Sequence, residues 1–148
     1  MRVEVEGDGV AVKRLGLYAD HLEDFSPLWP DITDAFTERE KIWFDRQGEG
    51  WAPLSPDYAA RKALIHPGKP ILVASGDLKD SLTGQGADLY HTDRELLLGT
   101  TEKVARFHAS GTRNMPARPP LIPAQRLAAA IGHLLQRWIK YPGYGGRP

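Results

Sequence analysis

Apolar residues recur at helical spacing in the first third of the chain. Leu15, Tyr18 and Leu22 lie three and four residues apart with charged residues between them, which predicts an amphipathic helix. The pair Ser26-Pro27 ends this pattern, and a second helix is predicted over about residues 30–47. Two antiparallel helices joined by a short break are the simplest arrangement of such a pair.

Helix-start residues stand out in the middle of the chain. Ser55-Pro56-Asp57 offers a capping serine, a proline at the first helical position and an acid in the first turn. The helix that begins there is predicted to end at about Leu64 or Ile65. Ser75 is predicted to cap a shorter helix that carries Leu78 and Leu82 on one face.

Strand patterns are short and few. Val3–Glu6 alternates apolar and acidic residues, which predicts a strand with one buried face. Residues 89–91 and 95–99 are apolar runs separated by Thr-Asp-Arg and are predicted to form a β-hairpin. An apolar run at residues 71–73 is compatible with a further short extended segment. Residues 117–121 are a candidate additional strand of the same sheet.

The C-terminal third is predicted to contain two more helices. Thr100 or Thr101 is expected to cap the first, and Gly111 is expected to end it in the left-handed conformation that glycine adopts readily. Pro123 opens the last and longest helix. One face of this helix carries an apolar stripe, Leu127, Ile131, Leu134 and Trp138.

These elements predict an α+β fold, with a small, mostly antiparallel sheet packed against a helical hairpin and a long C-terminal helix. The chain has 148 residues, which suits one domain, and we assign that domain to residues 1–140. Residues 141–148 contain three glycines and two prolines and are predicted to be a flexible tail.

A proline-rich segment, residues 107–123, lies between the last two predicted helices. It contains four prolines and two arginines and no acidic residue. Because proline fixes φ and restrains the residue before it, Met115–Ile122 is predicted to be a stiff extended arm that exposes the guanidinium groups of Arg113 and Arg118. Two interpretations are equally compatible with this chemistry: a connector laid over the protein's own surface, and a binding arm.

The net charge of zero conceals two segments of opposite net charge. Residues 101–148 contain eight Lys or Arg and one acid, Glu102, and therefore carry +7. Residues 1–100 contain 11 basic and 18 acidic residues and carry −7. Such polarity suits head-to-tail packing of neighbouring copies, and contacts of this kind can close into rings. A basic end also suits nucleic acid, although aromatic residues do not alternate with its cations.

No pattern of catalytic, cofactor-binding or metal-binding residues is present. The chain has no cysteine, its five histidines do not form a ligand motif, and no glycine-rich phosphate loop follows a strand. Ser75 lacks the Gly-x-Ser-x-Gly context of a nucleophile. No membrane-spanning run and no signal peptide are predicted. The acids of the second helix are interpreted as a solvated face, Asp31, Asp34, Glu38 and Glu40.

Several motifs then appear in a characteristic order. They are Trp-Ala-Pro-Leu-Ser-Pro-Asp-Tyr at 51–58, Ile-Leu-Val-Ala-Ser-Gly-Asp-Leu at 71–78, Leu-Gly-Thr at 98–100, Phe-His-Ala-Ser-Gly at 107–111 and Met-Pro-Ala-Arg-Pro-Pro-Leu at 115–121. Together they resemble the tailed-phage virion morphogenesis, or tail completion, proteins over roughly residues 40–140. The family typically has an aromatic residue where this chain has Pro120.

The resemblance implies a non-enzymatic structural protein of the virion, assembled in the host cytoplasm. Related neck and tail-end proteins form rings, commonly hexamers, at the head-proximal end of the tail. Such a ring would contact itself and the neighbouring neck, connector and tail-tube proteins, and DNA would pass through its lumen. The resemblance implies no cofactor and no membrane contact.

We predict that contacts between copies or with partners rest on the proline-rich segment and on the loop that precedes the Ser55 helix. The predicted contact residues are Trp51, Tyr58, Arg113, Met115, Arg118 and Leu121. For Trp51, packing against the core is favoured over stacking on a carbohydrate or another ligand. Two other function classes are kept as alternatives: a DNA-contacting virion protein that uses the basic C-terminal third, and a small hydrolase with a site assembled from scattered His and Asp residues.

Overall fold

The computed structural model describes residues 8–141 and shows an α+β fold. Its helices are α1 Asp8–Glu23, α2 Trp29–Asp45, α3 Pro56–Ile65, α4 Asp77–Thr83, α5 Lys103–Ser110 and α6 Ala124–Lys140. Its strands are β1 Asp88–His91 and β2 Leu96–Leu98. Short 3-10 turns occupy Ser26–Leu28, Gln47–Glu49 and Gln85–Ala87.

The predicted hairpin is confirmed as an antiparallel pair. Tyr90 stands opposite Leu97 and His91 opposite Leu96, with an irregularity between Asp88 and Tyr90. Within residues 8–141 these two strands are the whole sheet, so residues 117–121 do not extend it. The predicted strand Val3–Glu6 lies outside the described residues, as do residues 142–148 of the predicted tail.

The core is built where α2 meets α4 and the hairpin. Phe44 and Leu82 are fully buried there, and Phe36, Trp43 and Trp51 pack around them. A second cluster forms where Leu28 and Ile32 of the α2 end meet Trp138 of α6. The first cluster joins α2 to α4, and the second joins it to the C-terminal part of α6.

Local details correct three expectations from the sequence. The cap position of α4 is occupied by Gly76 in the left-handed conformation, so Ser75 lies one residue before the cap, where its hydroxyl donates to the Asp77 carboxylate at 2.7 Å. The run at residues 71–73 is a turn in which Leu72 has a positive φ of 60°. Glu102 occupies the cap position of α5, while the Thr100 hydroxyl accepts the Glu102 N–H at 3.0 Å.

Helix α1 rests on the C-terminal end of α6. The His21 ring donates from Nε2 to the Trp138 carbonyl at 2.7 Å, and the two rings stack with centroids 3.8 Å apart. The rest of α1 has much of its apolar surface in solvent, since Leu15 is 69% exposed and Leu17 is 61% exposed. This helix is therefore attached to the core mainly near its C-terminal end.

Candidate interaction surface

One backbone carbonyl of the arm accepts two hydrogen bonds from the core. The indole Nε1 groups of Trp43 and Trp51 both donate to the Pro119 carbonyl, at 3.3 and 3.0 Å. The Trp51 ring meets Trp43 and Phe44 edge to face, with centroids 6.2 and 5.5 Å apart. Gly48 permits this packing, because a Cβ at that position would lie 2.1 Å from Trp51 Nε1. The core-packing interpretation of Trp51 is thus confirmed.

Arg118 has its guanidinium inside the protein. Its Nε donates to the Ala52 carbonyl at 2.6 Å and its Nη2 donates to the Pro53 carbonyl at 2.8 Å. The side chain is 3% exposed. The expectation that Arg118 presents its guanidinium to solvent is therefore wrong, because the loop of residues 51–55 folds over it and offers two carbonyl groups that need donors.

The turn that leads into the arm depends on Gly111. Its φ is 74°, and a Cβ there would lie 2.8 Å from the Ala117 nitrogen and 2.9 Å from the Met115 carbonyl. Thr112 and Met115 exchange backbone hydrogen bonds of 2.8 and 3.2 Å across the turn. Gly111 ends α5 as predicted, and the same residue lets the chain double back closely enough to place Met115 beside α5.

The far end of the arm is held by a buried carboxyl. Ile122 donates its backbone N–H to Glu40 Oε1 at 2.8 Å, and Glu40 is fully buried. Burial raises the pKa of Glu40 to about 7, and the Ile122 hydrogen bond opposes that rise. The interpretation of Glu40 as part of a solvated face is therefore wrong. Phe36, Glu40 and Phe44 stand four residues apart, so helical periodicity marks Glu40 as an inward position.

A cavity of about 620 Å³ lies between the arm, the α3 helix and the turn before α4. Its apolar walls include Leu54, Leu72, Val73 and Met115. Its polar lining residues are Ser55, Tyr58, Lys62, His108, Asn114 and Arg118. We call this space the arm pocket. Its volume is in the range of sites that bury a small ligand or a few side chains of a protein partner.

The polar groups of the arm pocket are unusual in their burial. Lys62 is 7% exposed and donates to the Pro70 carbonyl, and burial lowers its pKa. Burial, and secondarily the charge of Arg118, lowers the pKa of His108. His108 Nδ1 is buried without a hydrogen-bond partner among residues 8–141. These features favour a neutral His108 beside two cations.

Four of the six predicted contact residues expose part of their surface, and two of those line the arm pocket. Tyr58 stands half exposed at the rim of the pocket, and Met115 forms part of its wall. Arg113 and Leu121 are exposed on either side of Met115, outside the pocket. Arg118 lines the pocket from within, while Trp51 is buried behind it. The contact role of all six stays a prediction.

Sequence reasoning missed Lys62 as a pocket residue. An isolated lysine on a surface helix ordinarily faces water, so Lys62 has no sequence signal for burial. His108 is half buried, and its unpartnered ring nitrogen has no sequence signal either. Lys62 donates to the Pro70 carbonyl in the turn before α4, and the His108 carbonyl accepts a hydrogen bond from Arg118 of the arm.

Comparison with known proteins now decides the family. Residues 10–140 match the model of the phage virion morphogenesis family. The chain belongs to this family. It is also 28% identical over 125 residues to the Mu-like prophage FluMu G protein 1 of Haemophilus influenzae, covering 80% of this chain and 82% of that protein. No solved structure matches the chain.

Family membership gives the protein a role in phage structure and assembly, which agrees with the predicted class. Within residues 8–141 no helix is long and apolar enough to cross a bilayer. In the same part of the chain, no three His, Asp or Glu side chains are grouped as metal ligands would be.

Proposed function

We propose that this protein is a structural subunit that forms a ring at the head-proximal end of the phage tail or in the neck. The ring completes the tail and joins it to the head, and each subunit acts by contact and not by catalysis. The match to the virion morphogenesis family supports the assembly role. The ring and its position are our extension of that role.

The observation that carries the proposal is the amount of apolar side chain left in solvent. Exposed apolar and aromatic residues occur on several elements, among them Leu15, Leu17 and Leu22 on α1, Leu64 and Ile65 on α3, Tyr90 and Leu97 on the hairpin, and Val104 and Phe107 on α5. Apolar side chains that are exposed together on one surface mark interaction sites, whereas singly scattered ones do not. Several distinct surfaces suit a subunit with neighbours on more than one side.

Native mass spectrometry of the full-length protein over a range of concentrations tests the ring. The expected result is a discrete oligomer that negative-stain electron microscopy shows as a closed ring with a central opening. A protein that stays monomeric at all concentrations, alone and with tail tubes added, would contradict the proposal.

The alternative role, direct contact with DNA through the basic end, has weaker support in the structure. Of the eight cations in residues 101–148, Arg118 is buried and Arg126 pairs with Glu49. Binding to a labelled duplex, measured at about 50 and 200 mM salt, separates the roles, since a DNA-binding protein loses affinity steeply with salt. A steep salt dependence for the isolated subunit would favour the DNA role over the ring.

A further inference from the structure

The arm pocket holds positive charge that the described chain does not neutralise. Lys62 and Arg118 line it, each more than nine-tenths buried, and their observed partners are backbone carbonyls. No carboxylate within residues 8–141 forms an ion pair with either side chain. Buried cations are ordinarily paired, so the pocket favours an anionic group from outside the chain.

The walls of the pocket also favour an occupant that carries apolar side chains beside its anionic group. Leu54, Leu72, Val73 and Met115 form its walls, and Tyr58 stands at its rim with half of its surface exposed. A free inorganic anion would leave these apolar walls in contact with water. The complementary occupant is a protein surface that presents a carboxylate beside bulky apolar side chains.

The C-terminal half of α1 is a surface of this kind. Tyr18 and Leu22 are 37% and 44% exposed on one side of the helix, and Leu15 extends the same stripe. Glu23 follows Leu22 at the C-terminal end of α1, about 100° around the helix from it, and its carboxylate has no partner among residues 8–141. Its backbone carbonyl, in contrast, accepts a hydrogen bond from Arg94.

The arm and helix α1 meet opposite ends of α6. The arm enters α6 at its N-terminal end through Ile122, whereas α1 contacts Trp138 near its C-terminal end. With a rise of 1.5 Å per residue, residues 124 and 138 are separated by about 20 Å along the helix. In this arrangement, the α1 helix of a subunit cannot enter the arm pocket of the same subunit. It can enter the arm pocket of a neighbouring copy.

We propose that the apolar and acidic end of α1 in one copy docks in the arm pocket of the next copy. Tyr18 and Leu22 enter the apolar part of the pocket, and Glu23 faces Lys62 and Arg118. The contact joins two different surfaces, so its repetition generates a ring or a filament and not a symmetric dimer. This inference rests on the proposed assembly function and names the contact that would build it.

Site-specific crosslinking tests the contact cleanly, because the chain contains no cysteine. Two single-cysteine proteins, Leu22→Cys and Tyr58→Cys, are mixed and treated with a short bismaleimide crosslinker. The expected product is a covalent heterodimer in high yield. The matched control replaces Tyr58→Cys with Leu64→Cys, which is on the same helix and 86% exposed but does not line the pocket; its yield should be much lower.

Three outcomes separate this inference from the proposed function. A wild-type oligomer by native mass spectrometry, together with equal crosslinking at residues 58 and 64, would overturn the contact and leave the assembly role intact. Crosslinking of Leu22→Cys to itself would overturn it as well, because it would show a symmetric contact. A wild-type chain that never associates would overturn both proposals.

A charge reversal supplies a second, independent readout. Glu23→Lys should weaken self-association about tenfold or more, because it places a cation against two cations. Glu38→Lys, at an exposed acid of α2, is the matched control and should leave association within about twofold. Equal effects of the two substitutions would overturn the predicted role of Glu23. Unchanged circular dichroism of both variants verifies that the fold is retained.

Discussion

The arm and helix α1 use their apolar and charged residues in opposite ways. The arm is rich in proline and arginine, yet its key groups lie inside: Arg118 binds two carbonyls, Pro119 receives two indoles and Ile122 binds Glu40. Helix α1 has a regular amphipathic pattern, yet its leucines face solvent. Polar groups of the arm are thus bound within the chain, whereas the exposed leucines of α1 are not covered by the described residues.

The difference shows that a local pattern reports what a segment can bury, but not whether this chain or another one covers it. Backbone carbonyls at Ala52 and Pro53 satisfy Arg118 because the loop reaches it. Nothing in the described part of the chain reaches the outer face of α1. The following predictions test this contrast, beginning with the arm.

Removing the buried guanidinium should have the largest effect. Arg118→Ala leaves the Ala52 and Pro53 carbonyls without donors and opens a cavity behind the arm, which should lower the free energy of unfolding by about 3 to 5 kcal/mol. Urea denaturation followed by tryptophan fluorescence measures the loss. Arg113→Ala is the exposed control in the same segment and should change stability by less than about 0.5 kcal/mol. Comparable losses for both would contradict the buried role of Arg118.

Glu40 should make stability depend on pH. Its pKa rises from 4.5 to about 7 in the folded state. Glu40 therefore contributes most to the free energy of unfolding below pH 4.5, and that contribution is lost as pH rises through 7. The predicted loss in the free energy of unfolding is about 3 kcal/mol, at about 1.36 kcal/mol per pKa unit.

Glu40→Gln keeps an acceptor for Ile122 and should remove this dependence. Denaturation midpoints of the variant and the wild type at several pH values between about 4.5 and 8 measure it. Glu38→Gln, on the exposed side of the same helix, should leave the wild-type curve unchanged. If the Glu40→Gln protein followed the wild-type pH curve, the buried carboxyl would not titrate as described.

Gly111→Ala should have the next largest effect on the free energy of unfolding. It combines a positive φ with a Cβ that lies 2.8 Å from the Ala117 nitrogen, so the turn into the arm must shift, at a cost of about 2 to 3 kcal/mol. Gly68 has nearly the same φ, 72°, but open space around its Cβ position. Gly68→Ala should therefore cost about 1 kcal/mol, and the difference between the two melting temperatures measures the added cost of the clash and of the ψ of 178° at Gly111.

The smallest effect on folding should come from α1. Leu15→Gln and Leu17→Gln replace side chains that are mostly in solvent, so the free energy of unfolding of each monomeric variant should change by less than about 0.5 kcal/mol. Denaturation at concentrations low enough to keep the protein monomeric measures this. A loss above about 2 kcal/mol, as for a buried leucine, would show that the chain itself covers this face.

Much of the fold was predictable because its signals are local. The break at Ser26-Pro27, the Pro56 start of α3, the hairpin and the Gly111 end of α5 follow from backbone restrictions within a few residues. Ser75 was wrong as a cap because the left-handed conformation of Gly76 starts α4 one residue later, a shift that spacing does not reveal.

The arm pocket was predictable only in part. Tyr58, Met115 and Arg118 were selected from the sequence and do line it, whereas Lys62 and His108 were not selected. The inward position of Glu40 had a readable signal in its spacing from Phe36 and Phe44. Lys62 had none, because its burial depends on a turn at residues 70–74 and on an arm more than 40 residues away.

By itself, the sequence determined the α+β class, the order of the elements and the absence of a recognisable catalytic motif, since periodicity, caps and motif spacing are properties of neighbouring residues. Only the tertiary structure decided which charges are buried and which apolar faces stay open. Arg118 and Glu40 are inside because backbone groups distant in sequence meet them, and the leucines of α1 are outside because none of the described chain covers them. Lys62 is inside beside a nearer group, the Pro70 carbonyl eight residues further on. Burial depends on long-range contacts, and those contacts set both the stability of the arm and the surface offered to a neighbour.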